Sequence, residues 1–175
     1  MAAPGKISLG GVRRCIIKEW GLVRIDDRLI HGQVIAVWCK HKPFKRIIII
    51  DDQVTADNFM QQVLKMAAPP DLTVDVYSVD RAVEALQRET FQPETTMLLM
   101  KRPQAARRLF DRGIEYDKLN VGGMGGGPGR KNVFKNIAMS EEEIADLKYL
   151  MDAGVEITLL TVPGEKSKAF SSLVS

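Results

Sequence analysis

Cysteine and histidine are scarce in this chain, with two of each in 175 residues. Cys15 and Cys39 form no Cys-x-x-Cys pair and no cluster with histidine, which argues against a zinc site and a disulfide-built scaffold. So little cysteine suits a reducing compartment. Long apolar runs are missing as well. Nowhere do roughly 18 apolar residues follow one another, so no transmembrane segment is expected. Met1 to Gly11 has no apolar stretch long enough for a signal peptide, and a cytoplasmic location follows as the expectation. A net charge of +3 and the lack of any long Lys/Arg block exclude a nucleic-acid partner. Arg13-Arg14, Lys101-Arg102 and Arg107-Arg108 read as solvated surface.

What is present is an alternation of short β-rich runs with amphipathic stretches, long enough for one domain with a full core. Residues 1–17 are Gly-, Pro- and Arg-rich without periodicity and read as a loose arm, leaving 18–175 as the domain. Strands are expected over Trp20–Ile25, Arg46–Ile50, Leu72–Tyr77, Thr95–Lys101, Lys118–Gly122 and Val155–Val162. The unbroken apolar runs Ile47 to Ile50 and Met97 to Met100 read as strands buried on both faces of a parallel sheet. Helices are expected over Gly32–Lys40, Ala56–Ala67, Val79–Glu89, Pro103–Arg112 and Ser140–Ala153. The second carries Phe59, Val63 and Met66 at helical spacing, and the last opens with the capping box Ser140, Glu143. This order predicts an α/β fold with a single doubly wound, mostly parallel sheet and helices on both faces.

Charge and reactivity gather in Arg24-Ile25-Asp26-Asp27-Arg28-Leu29-Ile30-His31-Gly32-Gln33. The segment follows the first strand, so topology places it at the carboxyl edge of the sheet, where ligands of such folds bind. Gly32 and Gln33 open a helix whose first N–H groups and dipole favour an anion. His31 in that position is either a nucleophile toward phosphorus or a proton donor to a ligand. Arg24 and Arg28 have the forked donors that match a phosphoryl group, and Ser78, ending the third strand, offers a hydroxyl to it. Asp26 and Asp27 either pair with those arginines or take a hydrogen bond from the far ring nitrogen of His31. The bland alternative is a surface ion-pair cluster with an N-cap and a turn glycine. His41 reads as plain surface, and Asp51-Asp52 as a helix cap. The glycine-rich run Gly122 to Gly129 is either a phosphate nest or a mobile loop that closes over a partner, or a flexible excursion between strands; it fits neither a Walker loop nor a dinucleotide fingerprint.

These residues, with Trp38, Ile48 to Asp52, Ala67-Ala68-Pro69, Leu119 to Met124 and Gly154 to Pro163, resemble the IIB subunits of mannose/fructose/sorbose-family phosphotransferase systems over roughly residues 18–172. The resemblance implies about seven strands and a cytoplasmic, peripherally membrane-associated phosphotransferase. It implies that His31 is phosphorylated on its pros nitrogen by a IIA phosphocarrier and passes the group to a sugar taken up through IIC and IID membrane subunits. It further implies that Arg24 and Arg28 screen the phosphate, with no metal and no cofactor. Two other readings stand beside it: a non-catalytic small-anion or nucleotide-binding module, and a regulatory interaction domain.

Overall fold

The computed structural model describes residues 19–88 and 90–175. The expected arm at 1–17, with Cys15 and Arg13-Arg14, and Glu89 at the expected end of the third helix lie outside the described residues.

The strands are β1 (Leu22–Ile25), β2 (Arg46–Ile50), β3 (Thr73–Tyr77), β4 (Thr96–Met100) and β5 (Lys118–Val121). Then come β6 (Lys131–Phe134), β7 (Ile137–Met139), β8 (Glu156–Leu159) and β9 (Lys168–Ala169). Seven of them form one sheet in the order β3-β2-β4-β1-β5-β8-β9, parallel except for β9. The antiparallel pair β6-β7 stands apart. All six expected strands are present, each within a few residues of its expected limits. The hairpin and β9 are additions, too short to stand out by periodicity.

Ile47 to Ile50 are wholly buried, and they alternate between two cores. Ile48 and Ile50 face one core with Val83 and Leu86; Ile47 and Ile49 face the other with Val34 and Leu64. That double burial is why the run shows no alternation.

On the first face lie α4 (Val79–Arg88), α5 (Pro103–Asp111) and α6 (Glu141–Asp152). On the second lie α1, α2 (Asp52–Thr55) and α3 (Asn58–Met66). Here α1 is the helical stretch 32–41, whose middle, Val34–Trp38, is a π-helix and whose end, Cys39–His41, is α-helical. The short α7 (Ser171–Val174) closes the chain.

The helix expected over Ala56–Ala67 is present as α3, and the short α2 before it is an addition. Asp57 starts α3 afresh by accepting a hydrogen bond from the Met60 amide at 2.9 Å. Leu64 then turns to the sheet, and Phe59, Val63 and Met66 fall about 100–160° around the helix from it. They are 73%, 43% and 84% exposed, an apolar stripe on the outside.

The chain leaves β1 for one face, through α1, and leaves the neighbouring β4 for the other, through α5. The crevice between their carboxyl ends is the topological switch point of the sheet. The Asp26 to His31 segment sits there.

Candidate functional site

After Ile25 the chain makes a tight turn in which the Leu29 amide donates to the Asp26 carbonyl at 3.0 Å. The Asp26 carboxylate takes the Arg28 amide at 3.2 Å, which pins the turn from inside. Leu29 has φ 57°, left-handed for a residue with a side chain, at about 1–2 kcal/mol. Burial of Leu29 and Ile30 in the second core offsets that strain. The reversal carries His31 back over Asp26, with Nε2 3.0 Å from Oδ2.

Asp26 is fully buried, and its charge is matched from below by Arg24, whose Nη2 donates to the same Oδ2 at 2.8 Å. Arg24 also donates to the Asn120 side chain, to the Leu160 carbonyl at 3.1 Å and to the Thr161 carbonyl at 3.0 Å. Its guanidinium carbon lies 4.9 Å from the centre of the Trp38 ring, and the indole N–H donates to Thr161. Burial lowers the Arg24 pKa, with Asp26 opposing the change. Burial likewise pushes Asp26 up, but hydrogen bonding to His31 and the charge of Arg24 outweigh it and hold the carboxyl below its ordinary range. Asp26 is therefore ionised at neutral pH and fixes the ring of His31.

Arg24 is a buried support under Asp26, with no exposure. Ser78 stands apart from this turn. It follows β3, three strands from β1, or about 14 Å at roughly 4.8 Å per strand. Its hydroxyl oxygen instead accepts from the Arg81 amide at 3.2 Å, at the start of α4. Arg28 does reach the surface: half-exposed, it donates to Gln33 Oε1 at 3.1 Å with its Nε 3.6 Å from Asp26. Gly32 and Gln33 are exposed at the head of α1, with open space over Gly32. Asp51 caps α2 through the Val54 amide, and Asp52 takes the Val79 amide.

Asp27 has no contact with His31; its carboxylate accepts the Gly125 amide at 2.6 Å. The first part of the glycine run, Gly122 to Gly125, is thus tied to the site. Asp27 N–H donates to Gly123, buried Met124 bridges to Ile137, and Arg130 donates to the Gly125 carbonyl at 2.7 Å. Gly122 has no room for a side chain, since a Cβ there would lie 2.0 Å from Arg24 Nη2. Sequence reasoning assigned no site role to Asn120 or Arg130 and read Glu143 only as part of the α6 capping box. A polar Asn inside the apolar strand β5 is the one local signal that a buried partner awaits it.

Among the described residues, no group of three or more His, Cys, Asp or Glu side chains is set to hold a metal ion. None of their helices is long and apolar enough to cross a membrane. A cavity of about 530 Å³ opens at the other end of the sheet, lined by Trp20, Lys118 and Glu156. It lies at the amino ends of the strands, away from the helix N-termini, so the shallow His31 site is the better candidate for anion chemistry.

The chain is 37% identical over 146 residues to the sorbose-specific EIIB component of a phosphotransferase system (PTS) from Klebsiella pneumoniae, covering 83% of this chain and 89% of the relative. It is 34% identical over 155 residues to the mannose-specific EIIAB component of Escherichia coli K12, covering 89% of this chain but only 48% of that longer protein. The crystal structure of the IIBSor domain of the Klebsiella pneumoniae sorbose permease superposes with a TM-score of 0.83 at 35% identity, covering 89% and 96% of the two chains. The family model for the PTS system sorbose subfamily IIB component matches residues 20–175, all of the fold around His31, and the chain belongs to that family.

Proposed function

We propose that the chain is a phosphocarrier of sugar uptake in which His31 holds a phosphoryl group between two transfers. The observation that carries this reading is the series His31–Asp26–Arg24, which takes Nε2 of the ring and leaves Nδ1 for phosphorus. With its proton on Nε2, donated to Asp26, the neutral imidazole presents a lone pair on Nδ1. That pair bonds the phosphorus of a phosphohistidine on a IIA partner, and the donor's N–P bond breaks with its electrons returning to the donor ring. In the second transfer a sugar hydroxyl oxygen bonds phosphorus, the His31–phosphorus bond breaks, and the hydroxyl proton is released.

Arg28 leaves Gln33 for a phosphoryl oxygen, and the first amides of α1, at Gly32 and Gln33, face the remaining charge. Asp26 orients the ring, and Arg24 keeps Asp26 charged and in place. The fused EIIAB relative supports a IIA partner, and membership of the family supports IIC and IID membrane subunits on the cytoplasmic side. A histidine that meets two proteins and a sugar is suited by transient contacts aided by charge.

Incubation with the general phosphotransferase proteins, a IIA partner and labelled phosphoenolpyruvate tests the reading. The wild-type chain gains an acid-labile phosphate, and His31→Ala gains none. Equal labelling of His31→Ala overturns the assignment. Saturable binding of a free anion without covalent label would instead indicate a binding module.

A further inference from the structure

The site holds two adjacent carboxylates, and only one is neutralised from within the sheet. Asp26 rests on Arg24. Asp27, on the same turn and nearer to solvent, has no such support beneath it. What it meets is the glycine wall: the Gly125 amide at 2.6 Å and, at 3.8 Å, Nη1 of Arg130. Arg130 is not a free surface arginine. Its side chain is 12% exposed and grips Glu143 with two bonds, Nε to Oε2 at 3.0 Å and Nη2 to Oε1 at 2.5 Å. Its third nitrogen holds the Gly125 carbonyl. Glu143 in turn accepts the Ser140 amide in the capping box of α6, so the grip is anchored to a helix end. Both backbone groups of Gly125 are thereby fixed, one by Asp27 and one by Arg130.

A phosphoryl group brings negative charge to His31, and an unbalanced carboxylate on the same turn opposes it. We infer that Arg130 is a positioning residue of the phosphorylation site, holding Asp27 against the glycine wall and offsetting its charge so that His31 accepts a phosphoryl group. This rests on the proposed phosphorylation of His31 and adds a residue that never touches the phosphate.

The experiment is a rate cycle on the full chain, reading label on His31 across a range of phosphorylated IIA. Arg130→Gln slows labelling roughly tenfold, the effect of one like charge at short range. Asp27→Asn restores the rate in that background, because the amide oxygen still takes the Gly125 N–H while the charge is gone. Arg130→Lys, which keeps charge but loses the fork on Glu143, is slowed about threefold. It carries the same cycle if the Gln variant does not fold. Wild-type rates in Arg130→Gln, or slow rates that Asp27→Asn leaves unrelieved, overturn the inference. Absence of label from the wild-type chain would instead remove the reading beneath it.

Discussion

Arg24 is the residue on which the site rests, although it is wholly buried. Its removal leaves Asp26 as an uncompensated buried charge and opens a gap beneath Trp38. Arg24→Ala should cost about 3–5 kcal/mol, read as a lower urea midpoint. Little in the sequence reveals this. His31 is legible because a histidine between charges, just before a helix, has a local signature. Arg24 carries the same written charge as Arg28 but the opposite fate. The difference lies in partners about a hundred or more positions away, Asn120, Leu160 and Thr161, which no spacing rule links to it. Leu29 hides for another reason: a left-handed turn residue is sought among Gly and Asn, and here an apolar one takes that place because its burial is worth more than its strain.

At the scale of elements, the strands were the most readable because burial on two faces leaves apolar runs, and the helices because caps mark them. Ser140 and Glu143 form the expected capping box of α6. What stayed unread was how ends meet. The end of β5 is the case in point: Gly122 lies against the Arg24 guanidinium, which keeps its place between β1 and β5 only if that position lacks a side chain. Gly122→Ala forces the guanidinium aside. Its expected mark is loss of His31 labelling with the sheet still folded, checked by circular dichroism beside the phosphorylation assay. The π-helical turn of α1 belongs to the same class. It lets the Cys39 amide reach back to the Val34 carbonyl while Val34 and Trp38 both stay buried, a wide turn that apolar periodicity does not foretell.

For the molecule as a whole, acid is the informative stress. Asp26 and Glu143 both titrate below their ordinary values of 3.8 and 4.5, and each is a partner in an ion pair at the site. In both, burial pushes the pKa up and is outweighed, by His31 and Arg24 for Asp26 and by Arg130 and the Ser140 amide for Glu143. The unfolded chain therefore binds more protons than the folded one in this window. Their stabilisation is complete above those ordinary values and falls away as the pH drops through the lower folded ones. Denaturant titrations at neutral pH and at pH values below about 4 should show that loss, and Asp26→Asn should flatten it. The sheet order has a consequence for how the molecule is made. β1 is synthesised first yet sits in the middle, and Arg24 finds its last two acceptors only at residues 160 and 161. Emerging from the ribosome, the histidine turn precedes the other strands of the sheet and is among the last parts of it to be finished. A chain stalled before Thr161 carries His31 without the carbonyls that complete its support.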